Sequence, residues 1–184
     1  MGFIYNSKIL SDKECEFIKG YILKNESKVK SLGDDEYAFT KNDSLTGRYK
    51  IFNWLYTDIG DLLIPKLKMI FSQLNLKYPI AIQCWVNTFR KGEGIKKHMH
   101  LPYPGYKDEK LTSGHIFISG PEDIGTWYED EKMDNGVGEL TLFTSDIFHY
   151  VPENTTDEVR ITIAIDIAEE TIRQKSNRYY IMEK

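Results

Sequence analysis

Residues 159–167 constrain the fold more than any other segment of the sequence. Their odd positions hold one valine and four isoleucines, and their even positions hold Arg160, Thr162, Ala164 and Asp166. Side chains of a β-strand point alternately to opposite faces, so this period of two predicts a strand with one face in a hydrophobic core. Small residues beside a single arginine on the other face indicate a surface that lines a cavity.

Arg160 and Thr162 share that second face. There, a guanidinium group and a hydroxyl group could together bind a carboxylate. The simpler alternative is an arginine exposed on the outside of a strand, which is the common situation for this residue type. On this segment alone, both interpretations stay open.

Helices are predicted before this β region. Ser11 and Glu14 have the spacing of a capping box, which predicts that a helix begins after Ser11. Apolar residues at helical spacing predict a second helix over about 58–74, where Pro65 favours a kink or a later start near Ile64. The polar stretch between the two helices is interpreted as a loop with one short strand at 48–52.

From residue 79 onward, short β runs alternate with clusters of glycine, proline and aspartate, which predicts a sandwich or barrel of strands. The candidate strands are 80–90, 111–119, 138–144, 147–152 and 158–168. Since the chain has no internal repeat and no low-complexity linker, we expect a single domain over residues 1–184. Within it we expect helices at about 11–75, a β core at about 80–168 and a helical tail at 169–184.

Two long connections interrupt the predicted strands, at 101–110 and 120–137. Loops of this length are uncommon in a compact domain unless they have a function, such as covering a site. The second connection contains Trp127 and Tyr128 beside the acidic run 129–131. It is either part of a lid or a solvated hairpin tip.

The composition narrows the class of protein. The formal net charge is −4, which argues against nucleic acid as a partner, because binding to phosphates needs an excess of lysine and arginine. Cys15 and Cys84 have neither a metal-binding nor a disulfide spacing and indicate a reducing compartment. No apolar run is long enough to span a membrane, and we expect a cytoplasmic protein.

His98 and His100 are separated by one residue and follow a glycine-containing segment. In an extended backbone, both side chains point to the same face, as two ligands of one metal ion must. Two imidazoles suit iron, zinc, copper or nickel. The alternative is a pair of histidines on the protein surface.

His149 lies in an apolar segment between Phe148 and Val151, which predicts at least partial burial. A hydrogen-bonded core histidine would explain this position by itself. However, three of the chain's four histidines form one ordered arrangement, and Arg160 follows the last of them, His149, by eleven residues. The combination favours a shared metal site.

This arrangement resembles the signature of the Fe(II)/2-oxoglutarate dioxygenases. That signature has a histidine and a carboxylate separated by one residue, a second histidine about fifty residues later and Arg-x-Ser about ten residues beyond. Here it reads His98-x-His100, His149 and Arg160-x-Thr162. The flanking segments 85–87, 113–117 and 138–152 are also similar to the bacterial and phage branch of this superfamily, so the resemblance covers roughly residues 80–168.

The resemblance implies a double-stranded β-helix, the mainly β jelly-roll fold shared with cupins, with a metal site in its open mouth. It implies a catalytic centre of Fe(II) held by His98, His100 and His149, with 2-oxoglutarate as cosubstrate and O2 as oxidant. Arg160 and Thr162 would bind the far carboxylate of 2-oxoglutarate. The implied activity is hydroxylation of a small-molecule or peptide substrate, with release of succinate and CO2.

His100 departs from the family pattern, because it stands where a carboxylate ligand is expected. The usual triad of two histidines and one carboxylate would become three histidines. Three neutral ligands leave Fe(II) more positive by one charge, which should tighten the binding of an anionic cosubstrate. Alternatively, His100 does not bind the metal, or a nearby acid takes its place, and His115 is a reserve candidate that also fits a packing role.

The strand at 80–90 adds a candidate contact. Its more apolar face holds Ile80, Ile82, Cys84 and Val86, so the face towards the cavity should hold Gln83, Trp85, Asn87 and Phe89. Asn87 could donate a hydrogen bond to 2-oxoglutarate or to the substrate. It could equally be a buried asparagine that pairs with the backbone.

Two other functions fit the same residues. One is a cupin-like metal enzyme that does not use 2-oxoglutarate, in which Arg160 binds a carboxylate of the substrate. The other is a metal-free β-sandwich binding protein in which the histidines are structural. The sequence identifies neither the substrate nor the oligomeric state.

Overall fold

A computed structural model describes residues 2–32, 52–100, 112–134, 136–169 and 179–184 of the 184-residue chain. In chain order, the elements are β1 (Phe3–Lys8), α1 (Asp12–Lys30), a 3₁₀ turn (Trp54–Tyr56), α2 (Asp58–Gln73), β2 (Ile80–Phe89), β3 (Ile95–His98), β4 (Thr112–Ser119), β5 (Thr126–Tyr128), β6 (Glu131–Met133), β7 (Glu139–Thr144), β8 (His149–Val151), β9 (Arg160–Glu169) and β10 (Tyr180–Met182).

The strands form two antiparallel sheets. The larger sheet has the order β1-β7-β4-β9-β2-β10, and the smaller sheet has the order β3-β8-β5-β6. Side chains of the two sheets meet between them, as where Tyr128 packs edge-on against Phe143 with ring centroids 4.9 Å apart. The fold is a double-stranded β-helix with two helices, which confirms the predicted fold class.

Strand β9 decides what each face of the larger sheet carries, because it pairs with β2 on one side and with β4 on the other. Its isoleucines are 0–4% exposed and belong to one hydrophobic core with the buried stripes of α1 and α2. On the opposite face, Thr162 lies between Asn87 of β2 and Phe117 of β4. This second face is directed towards the smaller sheet, as the alternation predicts.

Helix α1 begins as predicted. The backbone N–H of Ser11 donates to the carboxylate of Glu14 at 2.7 Å, and the backbone N–H of Glu14 donates to the Ser11 hydroxyl at 3.4 Å. Further along α1, the buried carboxylate of Glu26 accepts two hydrogen bonds from the guanidinium of Arg90, at 2.9 and 2.6 Å. This bidentate pair connects the helix to the end of β2.

Helix α2 starts where the apolar spacing predicts, and the later start near Ile64 that Pro65 favours is wrong. It begins at Asp58, with Thr57 as N-cap, and continues through Pro65 to Gln73. The proline removes one backbone hydrogen bond, but Leu63 and Leu67 on either side of it are fully buried. Packing of this apolar face outweighs the local cost of the proline.

Two predictions about the later part of the chain are corrected. The segment 120–137 contains the hairpin of β5 and β6, with Glu129 at a φ of 53° in its turn; the acidic residues 129–131 are exposed, as a solvated hairpin tip predicts, but Tyr128 is buried. The expected helical tail at 169–184 is wrong at 180–182, where β10 pairs with the side of β2 opposite β9. The predicted loop at 101–110 lies outside the described residues, as does the predicted strand at 48–52 apart from Phe52, which is not in a strand.

Strand β1 was not predicted from the sequence. Among the strands that the structure describes, it pairs with β7 alone, at the edge of the larger sheet. Neither of the two α-helices in the described part of the chain combines the length and the apolar composition needed to cross a membrane.

Gly60, in the first turn of α2, provides a test of the packing between this helix and the turn before it. A Cβ atom at Gly60 would lie 2.0 Å from the carbonyl oxygen of Leu55, whereas a Cβ atom at Gly20 in α1 would meet nothing within 4 Å. We expect Gly60→Ala to lower the free energy of unfolding by about 1–3 kcal/mol. The matched change Gly20→Ala should raise it by about 0.5–1 kcal/mol. Urea denaturation measures both, and equal effects at the two glycines would contradict this packing.

Candidate metal centre

The site begins with one cross-strand pair. Strand β3 pairs with β8 so that His98 lies directly opposite His149. Opposed residues of an antiparallel pair place their side chains on the same face, close together. The two imidazole rings are accordingly 4.3 Å apart between centroids.

His100 joins this pair from just beyond the end of β3. Its backbone N–H donates to the carbonyl of Ser145 at 2.9 Å, which holds the extended backbone against the segment before β8. Its ring centroid lies 5.3 Å from that of His98 and 5.0 Å from that of His149. One nitrogen from each of the three rings lies within 4.8 Å of the others, which is a group that could hold a metal ion.

Hydrogen bonds orient all three rings. The Nδ1 atom of His98 bonds the carbonyl of Lys96 at 2.8 Å, and that of His149 bonds the carbonyl of Ile147 at 3.1 Å. Because carbonyl oxygens only accept, each Nδ1 carries the proton, and the lone pair is left on Nε2. The outer hydrogen bonds therefore leave the Nε2 atoms able to act as metal ligands.

The outer partner of His100 is a carboxylate. Its Nδ1 atom lies 2.6 Å from Oδ1 of Asp166, and the hydroxyl of Ser113 donates to the same oxygen at 2.6 Å. Sequence reasoning did not assign a role to Asp166, although the alternation that places Arg160 and Thr162 on the cavity face also places Asp166 there. Asp166 thus lies behind His100 and is not one of the three residues in the group of ligand atoms.

The three imidazoles differ in their affinity for protons. Burial and the neighbouring histidines lower the pKa of His98 and hold that of His149 well below its ordinary value. Burial also acts to lower the pKa of His100, but the charge and hydrogen bond of Asp166 outweigh it and the pKa is raised. His98 and His149 are therefore neutral at neutral pH, as metal ligands must be.

Arg160 lies deeper between the sheets and is 0% exposed. Its Nε atom donates to the carbonyl of Ile124 at 3.1 Å, and its Nη2 atom donates to the hydroxyl of Thr126 at 3.0 Å. Its Nη1 atom is buried and has no hydrogen-bond partner among the described residues. Burial lowers the pKa of Arg160 to about 10, so the group still carries its charge at neutral pH.

Neighbouring residues make room for this buried cation. The guanidinium carbon lies 5.9 Å from the ring centroid of Phe89 and 5.4 Å from that of Phe117, which is within the range of cation–π attraction. A Cβ atom at Gly120 would lie 2.8 Å from Cα and Cγ of Arg160, so only glycine allows the approach. Arg160 is therefore held in a fitted cavity, and the interpretation as an exposed strand residue is wrong.

The other two predicted contacts also face this cavity. Asn87 and Thr162 are directly opposed in β2 and β9, and the amide Nδ2 of Asn87 lies 3.3 Å from the Thr162 hydroxyl. Thr162 is buried and Asn87 is partly buried. The two side chains lie on the same face as Arg160, which is the juxtaposition that the alternation predicts.

Strand β5 contributes residues that sequence reasoning missed. Thr126 accepts the hydrogen bond from Arg160, while Tyr128 lies opposite His149, with ring centroids 6.0 Å apart. The hydroxyl of Tyr128 bonds Nδ1 of His115 at 3.0 Å, and burial raises the Tyr128 pKa. His115 thus pairs with a tyrosine and lies outside the group of ligand atoms. The signal available in the sequence was the apolar character of 124–128, which was interpreted as a loop.

The low pKa of His149 predicts how the metal-free protein responds to acid. The unfolded chain takes up a proton near the ordinary histidine pKa of about 6.5, whereas the folded chain does not, so stability falls as the pH falls below that value. We expect His149→Gln to remove this contribution. The difference in unfolding free energy, wild type minus variant, should then decrease by up to about 1.4 kcal/mol per pH unit below pH 6.5.

His100→Gln is the matched control in the same urea titrations, because its pKa shift has the opposite direction. A raised folded-state pKa gives stability that is present below about pH 6.5 and is lost as the pH rises through the higher value. The unfolding free energy of the wild type minus that of His100→Gln should therefore increase as the pH falls. Parallel pH profiles for the wild type and His149→Gln would contradict the burial of a neutral His149.

The fold matches solved structures over nearly the whole chain. The nickel complex of the non-heme monooxygenase ThoJ superposes with a TM-score of 0.71 at 16% identity, covering 100% of this chain and 80% of ThoJ. A prolyl-4-hydroxylase from Pseudomonas putida gives a TM-score of 0.65 at 12% identity, covering 91% and 93% of the two chains. HygX from Streptomyces hygroscopicus, with nickel, 2-oxoglutarate and hygromycin B bound, gives 0.64 at 10% identity, covering 95% and 86%.

At the level of sequence, no family model matches the chain, and no curated protein matches it. The likeness therefore lies in the arrangement of strands and helices, which persists at identities of 10–16%. The chain has the double-stranded β-helix fold of the non-haem iron, 2-oxoglutarate-dependent oxygenases.

Proposed function

We propose that this protein is a non-haem, Fe(II)- and 2-oxoglutarate-dependent oxygenase that hydroxylates a small-molecule or peptide substrate. One observation carries the proposal. A group of three inward-facing imidazoles and a fully buried arginine with an unpartnered Nη1 atom line the same space between the two sheets. A metal site or a buried cation alone would support a much wider range of functions.

Arg160 has the properties of an anion-binding group. A buried charge is stable only when it is paired or well hydrogen-bonded, and no carboxylate among the described residues pairs with Arg160. Its two hydrogen bonds engage Nε and Nη2 and leave Nη1 available. A carboxylate of the cosubstrate would supply both the missing charge and the missing acceptor.

The spacing along β5 suits a dicarboxylate. Thr126, which bonds Arg160, and Tyr128, which lies opposite His149, are alternate residues of one strand and hence about 7 Å apart. This spacing along the strand is comparable with the length of a five-carbon dicarboxylate. Thr162 and Asn87 lie along the same face and offer further hydrogen-bonding groups.

The residues fit the metal that this function requires. Neutral imidazole nitrogens bind Fe(II), and nickel and zinc as well, so the chemistry of the donor set permits iron without selecting it. In this assignment, His98, His100 and His149 hold the metal, Arg160 and Thr162 bind the far carboxylate of 2-oxoglutarate, and Asn87 orients the cosubstrate or the substrate. Bound Fe(II) and 2-oxoglutarate supply the oxidising chemistry with O2, and succinate and CO2 are released.

The bulky residues around the site restrict access of water. Trp85, Phe117, Tyr128 and Phe143 are buried on the faces that surround the imidazoles and Arg160. A dry cavity strengthens the interaction of Arg160 with an anion and limits side reactions of the oxidant. The protein thus contributes binding, orientation and exclusion of water, and the cofactor contributes the oxidation.

An anaerobic titration tests the function. Fe(II) should bind at one equivalent, and the addition of 2-oxoglutarate should then produce a visible metal-to-ligand charge-transfer band. In air, the loaded protein should form succinate, and mass spectrometry of candidate substrates should show the addition of one oxygen atom. Absence of metal uptake would contradict both this proposal and the cupin-like alternative. Uptake without the band and without succinate would favour the cupin-like alternative.

His149→Ala tests the metal ligands. His149 is buried at the centre of the site, and its loss leaves two imidazoles, so binding of Ni(II) or Fe(II) should fall by at least about 100-fold. Isothermal titration calorimetry with Ni(II) measures this change. His115→Ala is the matched control, because that histidine lies outside the group of ligand atoms, and it should leave metal affinity within about threefold of the wild type.

Arg160→Gln tests the anion site. Loss of a charge-assisted hydrogen bond pair should weaken 2-oxoglutarate binding by about 10- to 100-fold, while affinity for Ni(II) stays nearly unchanged. The charge-transfer band measures the first quantity and calorimetry the second. Arg90→Gln serves as the control, because it breaks the pair with Glu26 and lowers stability without touching the site. Unchanged 2-oxoglutarate affinity in Arg160→Gln would remove Arg160 from the proposed function.

A further inference from the structure

Asp166 lies behind the imidazole of His100, on the face of β9 that also carries Arg160 and Thr162. Its Oδ1 atom accepts from Nδ1 of His100 at 2.6 Å and from the hydroxyl of Ser113 at 2.6 Å. Its side chain is only 18% exposed. The carboxylate is thus held in one position by a serine on the neighbouring strand and directed at one ring.

The charge of Asp166 acts on few other groups. In the larger sheet it lies between Ser113 of β4 and Gln83 of β2, both of which are uncharged. Among the described residues, no lysine or arginine pairs with it; its carboxylate bonds the ring of His100, and its charge also acts on His98. A partly buried carboxylate in this position interacts strongly with that one imidazole.

This interaction changes the properties of His100 as a metal ligand. A histidine that donates Nδ1–H to a carboxylate has a fixed tautomer and a more basic Nε2 atom. His98 and His149 each donate Nδ1–H to a backbone carbonyl, whereas His100 bonds a carboxylate. The three ligands are therefore unequal, and the one at the carboxylate position of the family pattern is the one connected to a carboxylate.

We propose that Asp166 is a positioning residue that supplies, through His100, the negative charge that a carboxylate ligand would bring to the metal. The centre then holds the net charge of two histidines and one carboxylate, with the anion placed behind the ring instead of on the metal. This inference rests on the proposed metal site. It adds a role for Asp166 and Ser113 and explains how a third histidine serves in this position.

Asp166→Asn separates charge from shape. The amide oxygen can still accept the hydrogen bond from His100, but the negative charge is lost. We expect affinity for Ni(II), measured by calorimetry without 2-oxoglutarate, to fall by about 10- to 100-fold. Ser113→Ala, which removes one hydrogen bond to the carboxylate and a 3.1 Å contact with Nδ1 of His100, should give a smaller loss. Asp157→Asn is the control, since this exposed aspartate pairs with Lys91 at the surface, and its affinity should match that of the wild type.

Combining substitutions at His100 and Asp166 gives a sharper test of the charge role. His100→Asp places a carboxylate at the ligand position, but it now faces Asp166 with no ring between them, so like charges repel. Adding Asp166→Asn to this background should therefore increase affinity for Ni(II), although the same substitution decreases it in the wild type. The visible absorption spectrum of the Co(II) form should report the change of ligand set in both backgrounds. If Asp166 only stabilised the fold, Asp166→Asn would lower the affinity for Ni(II) in both the wild-type and the His100→Asp backgrounds.

The outcomes separate this inference from the proposed function. If Asp166→Asn binds Ni(II) as tightly as the wild type, or lowers affinity in both backgrounds, the charge role is wrong while the oxygenase assignment stands. If His149→Ala does not weaken metal binding either, the metal site and the proposed function fail together. Thermal unfolding of each metal-free variant identifies any that does not fold. In that case, the affinity for Ni(II) is compared in Ser113→Ala and in the His100→Asp background.

Discussion

The pairing of β9 with a strand on each side is the constraint on which the rest of the structure depends. Ladders to β2 and β4 hold the strand in register over most of its length. One of its faces contributes fully buried isoleucines to the core beneath the helices, and the other directs Arg160, Thr162 and Asp166 towards the smaller sheet. A slip by one residue would bury the arginine and the aspartate among the helices, which the hydrophobic core opposes strongly. The stability of the core therefore determines the orientation of the site.

The proposed metal centre depends on this arrangement only indirectly. Its imidazoles come from the smaller sheet and the segment after β3, where short strands bury little apolar surface. Contacts to the larger sheet compensate: Asp166 holds His100, and Phe143 packs against His149 with ring centroids 5.0 Å apart. The ligands are thus placed by a small sheet and oriented by a large one, which agrees with the general need to support a functional site with packed neighbours.

Local patterns predicted the parts of the fold that depend on neighbours in sequence. The capping box located the start of α1, and alternation located β2, β4, β7 and β9 within about two residues. The same alternation placed Arg160, Thr162 and Asn87 on one face. It could not show the depth of Arg160, because the partners of its side chain, Ile124 and Thr126, are more than thirty residues away in sequence. The sequence did not locate strands β5, β6 and β10 for a similar reason: strands of three residues carry little periodicity, and β8 and β2, which pair with β5 and β10, are distant in sequence.

The β5–β6 hairpin has a consequence for how such a protein could change during evolution. Its inner face carries both Thr126, beside Arg160, and Tyr128, beside His149, while its outer face carries Trp127 stacked on Tyr150 at 5.8 Å. An insertion or deletion of one residue upstream in this hairpin would turn Trp127 inward and both site residues outward. Single substitutions could adjust one end of the site at a time, whereas length changes would alter the anion end and the metal end together. Sequence drift in this hairpin is therefore expected to proceed by replacement at constant length.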